Sequence, residues 1–186
     1  MRLNSNTKIV GQNITLVPYN EYHVPRYHEW MKSEELQKLT ASEPLSLDKE
    51  FEMQKSWRED DDKCTFIILD KCLYEKTGKE IESMIGDTNI FITDKESAVG
   101  EIEIMIAETT ARGKRMGWEA VTLMLLYGIT HVKVRIFEAK ISLSNIISIR
   151  MFEKLGFQEK SRSEVFQEIT LEKTVCDDWT KWLKKQ

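Results

Sequence analysis

The residues best suited to chemistry lie within residues 100–128. Positions 112–117 read RGKRMG and combine three cations with two glycines, between an alternating stretch typical of a β-strand and an apolar stretch with helical periodicity. The start of a helix offers unpaired backbone N–H groups and the positive end of the helix dipole, and glycines let the backbone approach a ligand. This segment therefore predicts a turn that binds a pyrophosphate. Taken alone, it also fits an ordinary surface turn between a strand and a helix.

The strand that precedes this turn carries two carboxylates. Residues 101–107 alternate between polar and apolar side chains, so Glu101, Glu103 and Met105 lie on one face of the strand. A carboxylate there can take a proton from a bound substrate, directly or through a water, and burial can raise its pKa toward the working pH. The other interpretation is that both carboxylates face solvent or pair with a neighbouring strand. Glu101 and Glu103 are therefore both candidates for a general base.

Composition limits the class of protein. The chain has 186 residues, of which 41% are hydrophobic and 31% charged, as expected for one soluble globular domain with a sizeable core. The net charge of −4 argues against a nucleic-acid-binding protein. No apolar run reaches the roughly 18 residues of a membrane-spanning helix, and the polar N-terminus lacks the apolar core of a signal peptide. We expect a cytoplasmic protein, with the nucleus as the alternative, and neither a nucleic-acid nor a membrane partner.

Cysteines and histidines show no spacing typical of a metal site. The three cysteines are scattered, and an odd number of scattered thiols fits a reducing compartment. Two of the three histidines lie five residues apart near the N-terminus, and the third follows the central helix. We therefore expect no metal ion. The residues concerned are Cys64, Cys72, Cys176, His23, His28 and His131.

The rest of the chain predicts an alternation of strands and helices. Apolar and alternating stretches predict strands over residues 13–19, 64–70, 85–92, 101–107, 136–141, 157–160 and 165–175. Helical periodicity predicts helices over residues 26–31 and 118–127. Capping residues predict three more helices: one that follows an N-cap at Ser46, one that runs from Ser144 or Asn145 to Leu155 and ends at Gly156, and one that follows Asp177. The charged residues 71–83 are expected to form an exposed loop.

Two stretches together resemble the GCN5-related N-acetyltransferase (GNAT) superfamily. Residues 112–117 resemble its motif A, Arg/Gln-x-x-Gly-x-Gly/Ala, and residues 145–157, NIISIRMFEKLGF, resemble its motif B, Asn-x-x-Ala-x-x-x-Tyr-x-Lys-x-Gly-Phe. The predicted order of elements is also that of the superfamily. The resemblance implies an α/β (α+β) fold with a central mixed, mostly antiparallel sheet flanked by helices, forming one N-acetyltransferase domain over residues 1–186.

The resemblance also implies acetyl-CoA as the cosubstrate. Motif A would hold its pyrophosphate, the end of the preceding strand would hold the pantetheine, and two motif B residues would touch the cofactor. Glu101 lies where several members keep a catalytic glutamate, and Glu103 is nearer the expected thioester. The implied cofactor-binding residues are Met105, Ala107, Arg112, Gly113, Lys114, Arg115, Met116, Gly117, Asn145 and Ser148.

The chain departs from the family pattern at two positions. Arg115 replaces the central glycine of motif A, where its bulk either obstructs the phosphates or, turned outward, adds a cationic contact. Phe152 stands where many members carry the tyrosine that protonates the leaving thiolate, and phenylalanine has no proton to donate. Two hypotheses follow. The protein is either an active N-acetyltransferase or a protein-binding module of the same fold with weak or no catalysis.

Further stretches resemble one branch of the superfamily, the animal α/β-tubulin N-acetyltransferases, which are related to the bacterial ribosomal-protein alanine acetyltransferases. These stretches include NITLVPYNEYHVPRYHEW, IGDTNIF, GEIEIMIAE and VFQEITL. The resemblance implies that the acceptor is a protein amine, most simply an N-terminal α-amine, and that the partner is α/β-tubulin. Composition and spacing by themselves identify no acceptor.

Overall fold

The computed structural model describes residues 2–186, which form eight β-strands and seven α-helices. The strands are β1 (Ile9–Val10), β2 (Ile14–Pro18), β3 (Lys63–Asp70), β4 (Met84–Asp94), β5 (Val99–Ile106), β6 (Ile136–Ser142), β7 (Gln158–Ser163) and β8 (Glu168–Thr174). The helices are α1 (Val24–Met31), α2 (Glu34–Leu39), α3 (Leu47–Glu59), α4 (Lys71–Thr77), α5 (Met116–Tyr127), α6 (Ile146–Lys154) and α7 (Asp177–Leu183). Within this part of the chain, every helix is too short or too polar to cross a membrane.

The eight strands belong to one mixed sheet, in the order β1-β2-β3-β4-β5-β6-β8-β7. The pairs β1–β2, β2–β3, β6–β8 and β7–β8 are antiparallel. β5 and β6 are parallel, with Glu101 opposite Glu138. A parallel pair needs a crossover connection, and α5 lies in the segment that joins these two strands. The predicted fold class, a mixed and mostly antiparallel sheet flanked by helices, is confirmed.

The chain folds as two compact units. The first extends to Asn89 and resumes over Ile104–Leu123, and the second contains Ile90–Glu103 and Met124–Gln186. The first unit buries an apolar cluster formed by Val17, Tyr19, Val24, Tyr27, Trp30, Met31, Leu36, Ile67, Leu69, Met84, Met105 and Ala107. Because burial of apolar surface is the main favourable term in folding, this cluster is what holds α1 and α2 onto the sheet of that unit. One domain over residues 1–186 stays a prediction.

The second unit has an aromatic core of its own. Trp179 of α7 lies edge to face with Phe137 and with Phe157, with ring centroids 6.2 Å apart in both pairs. Its indole N–H donates to the carbonyl of Leu155 at 2.8 Å, so the polar end of the buried ring is satisfied. Phe152 is 2% exposed and packs on Phe157. These contacts fix α6 and α7 on β6.

Local signals in the sequence predict several helix ends correctly. Ser46 caps α3 by accepting the N–H of Lys49, and the Asn145 side chain, rather than Ser144, caps α6. Gly156 follows α6 with φ 91°, a left-handed conformation that favours glycine. The terminal helix departs from the prediction, because it starts at Asp177 itself and Cys176 is its N-cap residue.

The expected loop over residues 71–83 is wrong in its first half, which forms α4. Asp70 caps this helix by accepting the N–H of Leu73 at 3.0 Å, and Gly78 ends it with φ 67°. Both caps are visible in the sequence, but the helix is only seven residues long and has no buried residue. Its apolar periodicity is therefore too short to detect.

The last two strands also differ from the prediction, since β7 runs from Gln158 to Ser163 rather than over residues 157–160. β8 begins at Glu168 rather than at residue 165, because a turn precedes it in which Gln167 has φ 50° and the Phe166 N–H donates to Ser163 Oγ. Val165 and Phe166 are β-prone residues, yet they are 87% and 81% exposed at the tip of this turn. The sequence patterns do not predict β1 or α2, because each of these two elements is short.

Candidate cofactor turn and catalytic carboxylates

The turn between β5 and α5 presents a row of free backbone donors. The N–H groups of residues 113–117 make no hydrogen bond of ordinary geometry within residues 2–186, although residues 112–115 form a turn, and the Arg115 carbonyl accepts the Glu119 N–H at 3.0 Å. Gly113 has φ 74°, and a Cβ added to it would meet nothing within 4 Å. Unpaired N–H groups at the start of a twelve-residue helix are a binding site for an anion.

Arg115 adopts a left-handed backbone, with φ 62°. A central glycine in the motif A pattern is explained by this conformation, which L-residues other than glycine adopt at a cost. The side chain of Arg115 is exposed, and its guanidinium lies 5.7 Å from the centre of the Trp118 ring. The cation thus packs on an indole, and whether Arg115 obstructs the phosphates or adds a cationic contact stays a prediction.

Arg112 ties the turn to its surroundings. Its Nε donates to the carbonyl of Ile106 at 2.9 Å, at the end of β5, and its Nη1 donates to Glu35 of α2 at 2.8 Å. The Arg112 side chain is one-third exposed, so part of its charge faces solvent. Lys114 is exposed beside it. The cofactor-binding roles of Arg112, Gly113, Lys114, Arg115, Met116 and Gly117 stay predictions.

The end of β5 lies unusually close to β4. A Cβ on Gly86 would lie 1.9 Å from the carbonyl oxygen of Met105, so only glycine permits this approach. The N–H groups of Ala107 and Glu108 both donate to the Ile85 carbonyl, at 2.8 and 3.1 Å. The Ala107 N–H is therefore engaged within the protein, and the predicted contacts of Met105 and Ala107 with the cofactor stay predictions.

Glu108 is a residue of this region that the sequence analysis missed. Its Oε1 accepts from the indole N–H of Trp30 at 2.7 Å and from the guanidinium of Arg26. Both donors belong to α1, so Glu108 fixes that helix to the loop that follows β5. A carboxylate directly after the central strand was the signal, but its partners lie 78 and 82 residues away in sequence.

The two candidate bases differ in environment. Glu101 is 12% exposed in its side chain, and the Lys140 ammonium donates to its Oε2 at 2.6 Å. Burial raises the pKa of Glu101, and Lys140 opposes that rise. Glu103 is exposed. A half-buried carboxyl with a raised pKa is better suited to accept a proton near neutral pH, so the environment favours Glu101 as the base.

The motif B residues meet at the start of α6. The Asn145 side-chain oxygen accepts the Ser148 N–H at 3.2 Å and caps the helix. Their contact with a cofactor stays a prediction. Phe152, in the buried core, has no hydroxyl and donates no proton to a leaving group. Within residues 2–186, no three histidine, cysteine, aspartate or glutamate side chains are grouped as a metal site.

Comparisons with known proteins complete this description. Residues 13–158 match the acetyltransferase (GNAT) domain family. The chain is 55% identical to α/β-tubulin-N-acetyltransferase 9 of Homo sapiens, over all of this chain and 92% of that protein. It is 49% identical to the Drosophila melanogaster protein of the same name, over all of this chain and 96% of that protein.

Solved structures of low sequence identity share the fold. Spermidine N-acetyltransferase from Vibrio cholerae, in complex with CoA and spermine, has a TM-score of 0.77 at 16% identity, covering 92% of this chain and 99% of that one. A ribosomal L7/L12 α-N-protein acetyltransferase in complex with coenzyme A has a TM-score of 0.73 at 12% identity, covering 90% and 97%. The acceptors for which these two enzymes are named, a polyamine and a protein, show that one fold serves different amines.

Proposed function

Because the chain belongs to the GNAT family and is an N-acetyltransferase that acts on a protein amine, we propose that it transfers the acetyl group of acetyl-CoA to the N-terminal α-amine of α/β-tubulin. The observation that carries the proposal is the row of unpaired N–H groups at the start of α5. The human and fly relatives, both named as α/β-tubulin N-acetyltransferases, support tubulin as the acceptor. A cytoplasmic location belongs to the same proposal.

The residues present fit acetyl-CoA. The free N–H groups of residues 113–117 point to an anionic ligand, and the positive end of the α5 dipole and the exposed Lys114 favour the same sign of charge. When bound, acetyl-CoA supplies an activated thioester carbonyl. The turn would hold its pyrophosphate mainly by backbone donors, so this contact would depend little on the identity of the side chains.

The acceptor amine must lose a proton as it is acetylated. The N–C bond forms, the C–S bond breaks, and CoA leaves as a thiolate. In this proposal Glu101 takes the amine's proton, since its carboxyl is half-buried with a raised pKa. Phe152 supplies no proton to the thiolate, so that role is vacant or falls to water. Between an enzyme and a binding module of the same fold, the relatives' names and family favour the enzyme.

Acetylation of synthetic peptides tests the proposal. Peptides with the N-terminal sequences of α- and β-tubulin are incubated with the purified protein and acetyl-CoA, and the modified atom is located by mass spectrometry. Matched control peptides have the same sequence with a blocked α-amine and carry one internal lysine. We expect acetylation of the free α-amine only. Acetylation of the lysine, or of neither peptide, would contradict the proposed acceptor.

A further inference from the structure

A lysine on the neighbouring strand contacts the proposed base. In the parallel register of β5 and β6, Glu101 lies opposite Glu138, and Lys140 is two residues further along β6. Residues two apart on a strand share a face, so Glu138 and Lys140 both lie on the face that carries Glu101. The Lys140 ammonium reaches Glu101 Oε2 at 2.6 Å. The pair joins residues that are 39 positions apart in the sequence.

A second ion pair on the same face provides a comparison. Lys160 of β7 contacts Glu138 and also contacts Glu172 of β8 at 2.6 Å. The Glu138 side chain is 13% exposed, nearly the same as the 12% of Glu101. The lysines are similar too, at 46% and 41% exposed. Each half-buried carboxylate therefore has one lysine partner, and Lys160 has a second carboxylate partner as well, so its loss should disturb the fold at least as much as the loss of Lys140.

The surroundings of Glu101 have opposite effects on its pKa. Burial is the largest influence and raises its pKa, and the carboxylates of Glu103 on β5 and Glu168 on β8 raise it further. The hydrogen bond and the positive charge of Lys140 lower it. Lys140 thus counteracts every one of these influences from a fixed position on β6. Without it, burial and the two neighbouring carboxylates would raise the pKa of Glu101 unopposed.

We propose that Lys140 is a positioning residue for acetyl transfer, whose ammonium keeps the Glu101 carboxylate ionised and oriented so that it can accept the proton of the acceptor amine. The inference rests on the proposed function, because it requires Glu101 to act as the base. Lys140 itself neither gains nor loses a proton in the reaction. The proton moves from the amine nitrogen to Glu101 and then to solvent.

The expected pH dependence has a definite sign. A general base works in its ionised form, so activity falls as the pH drops through the pKa of Glu101. An opposite charge within hydrogen-bond distance lowers the pKa of a carboxyl by roughly 1–3 units, and exposure of Lys140 to solvent reduces the effect. Loss of Lys140 should therefore move the acidic limb of kcat/KM to higher pH by about one unit.

The experiment compares Lys140→Met with Lys140→Arg and with the matched control Lys160→Met. The pH profile of kcat/KM is measured for each full-length protein with a tubulin N-terminal peptide. In parallel, the Glu101 carboxyl is titrated by carbon NMR of glutamate-labelled protein, with its resonance assigned from the Glu101→Gln spectrum. In Lys140→Met we expect the acidic limb of the kcat/KM profile and the NMR titration of Glu101 to shift together to higher pH. Both should return to their wild-type positions in Lys140→Arg and stay at those positions in Lys160→Met.

The two measurements separate failure of this inference from failure of the proposed function. If the wild-type protein acetylates the peptide but Lys140→Met leaves the limb unmoved, the role of Lys140 is wrong and the proposed function stands. An unchanged Glu101 titration in Lys140→Met overturns the inference whatever the activity. An equal shift of the acidic limb of kcat/KM in Lys160→Met would show a general effect of surface charge. That result would also overturn the inference about Lys140. If the wild-type protein acetylates no α-amine, the proposed function fails and the role of Lys140 in transfer falls with it.

Discussion

The turn that precedes α5 and the charged strands β5 and β6 present different chemical groups. The turn presents backbone groups, and the strands present side chains. The turn offers backbone N–H groups, while the side chain of Arg112 is bound to Glu35 and that of Arg115 packs on Trp118. The strands offer side chains, a carboxylate and an ammonium 2.6 Å apart. A substitution in the turn therefore mainly changes the strain of the local backbone. A substitution on the strands instead removes the proposed base or the positive charge that acts on it. This difference explains how the turn accommodates an arginine in place of the motif glycine.

The largest expected effect is on the strands. Glu101→Gln keeps the shape of the side chain but removes its ability to accept a proton. We expect kcat/KM for a peptide acceptor to fall by about 100-fold or more, with acetyl-CoA affinity unchanged. Glu103→Gln is the matched control, because this residue is exposed on the same strand. Initial-rate kinetics for both variants check this, and full turnover by Glu101→Gln would remove Glu101 as the base.

A smaller effect is expected in the turn. Since Arg115 has φ 62°, Arg115→Gly relieves a strained backbone and Arg115→Ala does not. The glycine variant should exceed the alanine variant by about 1 kcal/mol in the free energy of unfolding, measured with urea. Both should keep acetyl-CoA affinity within a few-fold of the wild-type protein. If Arg115→Gly binds acetyl-CoA much more tightly than either other form, the arginine obstructs the site, contrary to the comparison above.

Sequence patterns predicted the parts of the molecule whose signals are local. The alternation of β5, the periodicity of α5, the caps at Ser46 and Asn145 and the glycine after α6 each depend on a few neighbouring residues, and the structure confirms them. The motif positions of the turn are local too. The free N–H groups of the turn could be expected from the start of a helix alone.

Long-range pairings could not be predicted in this way. Glu101 finds Lys140 because β5 and β6 are neighbours in a parallel register, and strand order is not contained in either strand's sequence. Glu108 finds Trp30 through the packing of α1, and the short helix α4 has too few apolar positions to show a period. The choice between Glu101 and Glu103 needed burial, which only the assembled sheet determines.

Calorimetric titration with acetyl-CoA tests the central claim, that the α5 turn is a pyrophosphate site, most directly. Plain CoA and acetyl-pantetheine, which lacks the pyrophosphate, are the comparison ligands. We predict micromolar dissociation constants for acetyl-CoA and CoA, about −8 kcal/mol, and binding at least 100-fold weaker for acetyl-pantetheine. Absence of binding by acetyl-CoA up to about 1 mM, or equal affinity for acetyl-pantetheine, would contradict the assignment of the turn.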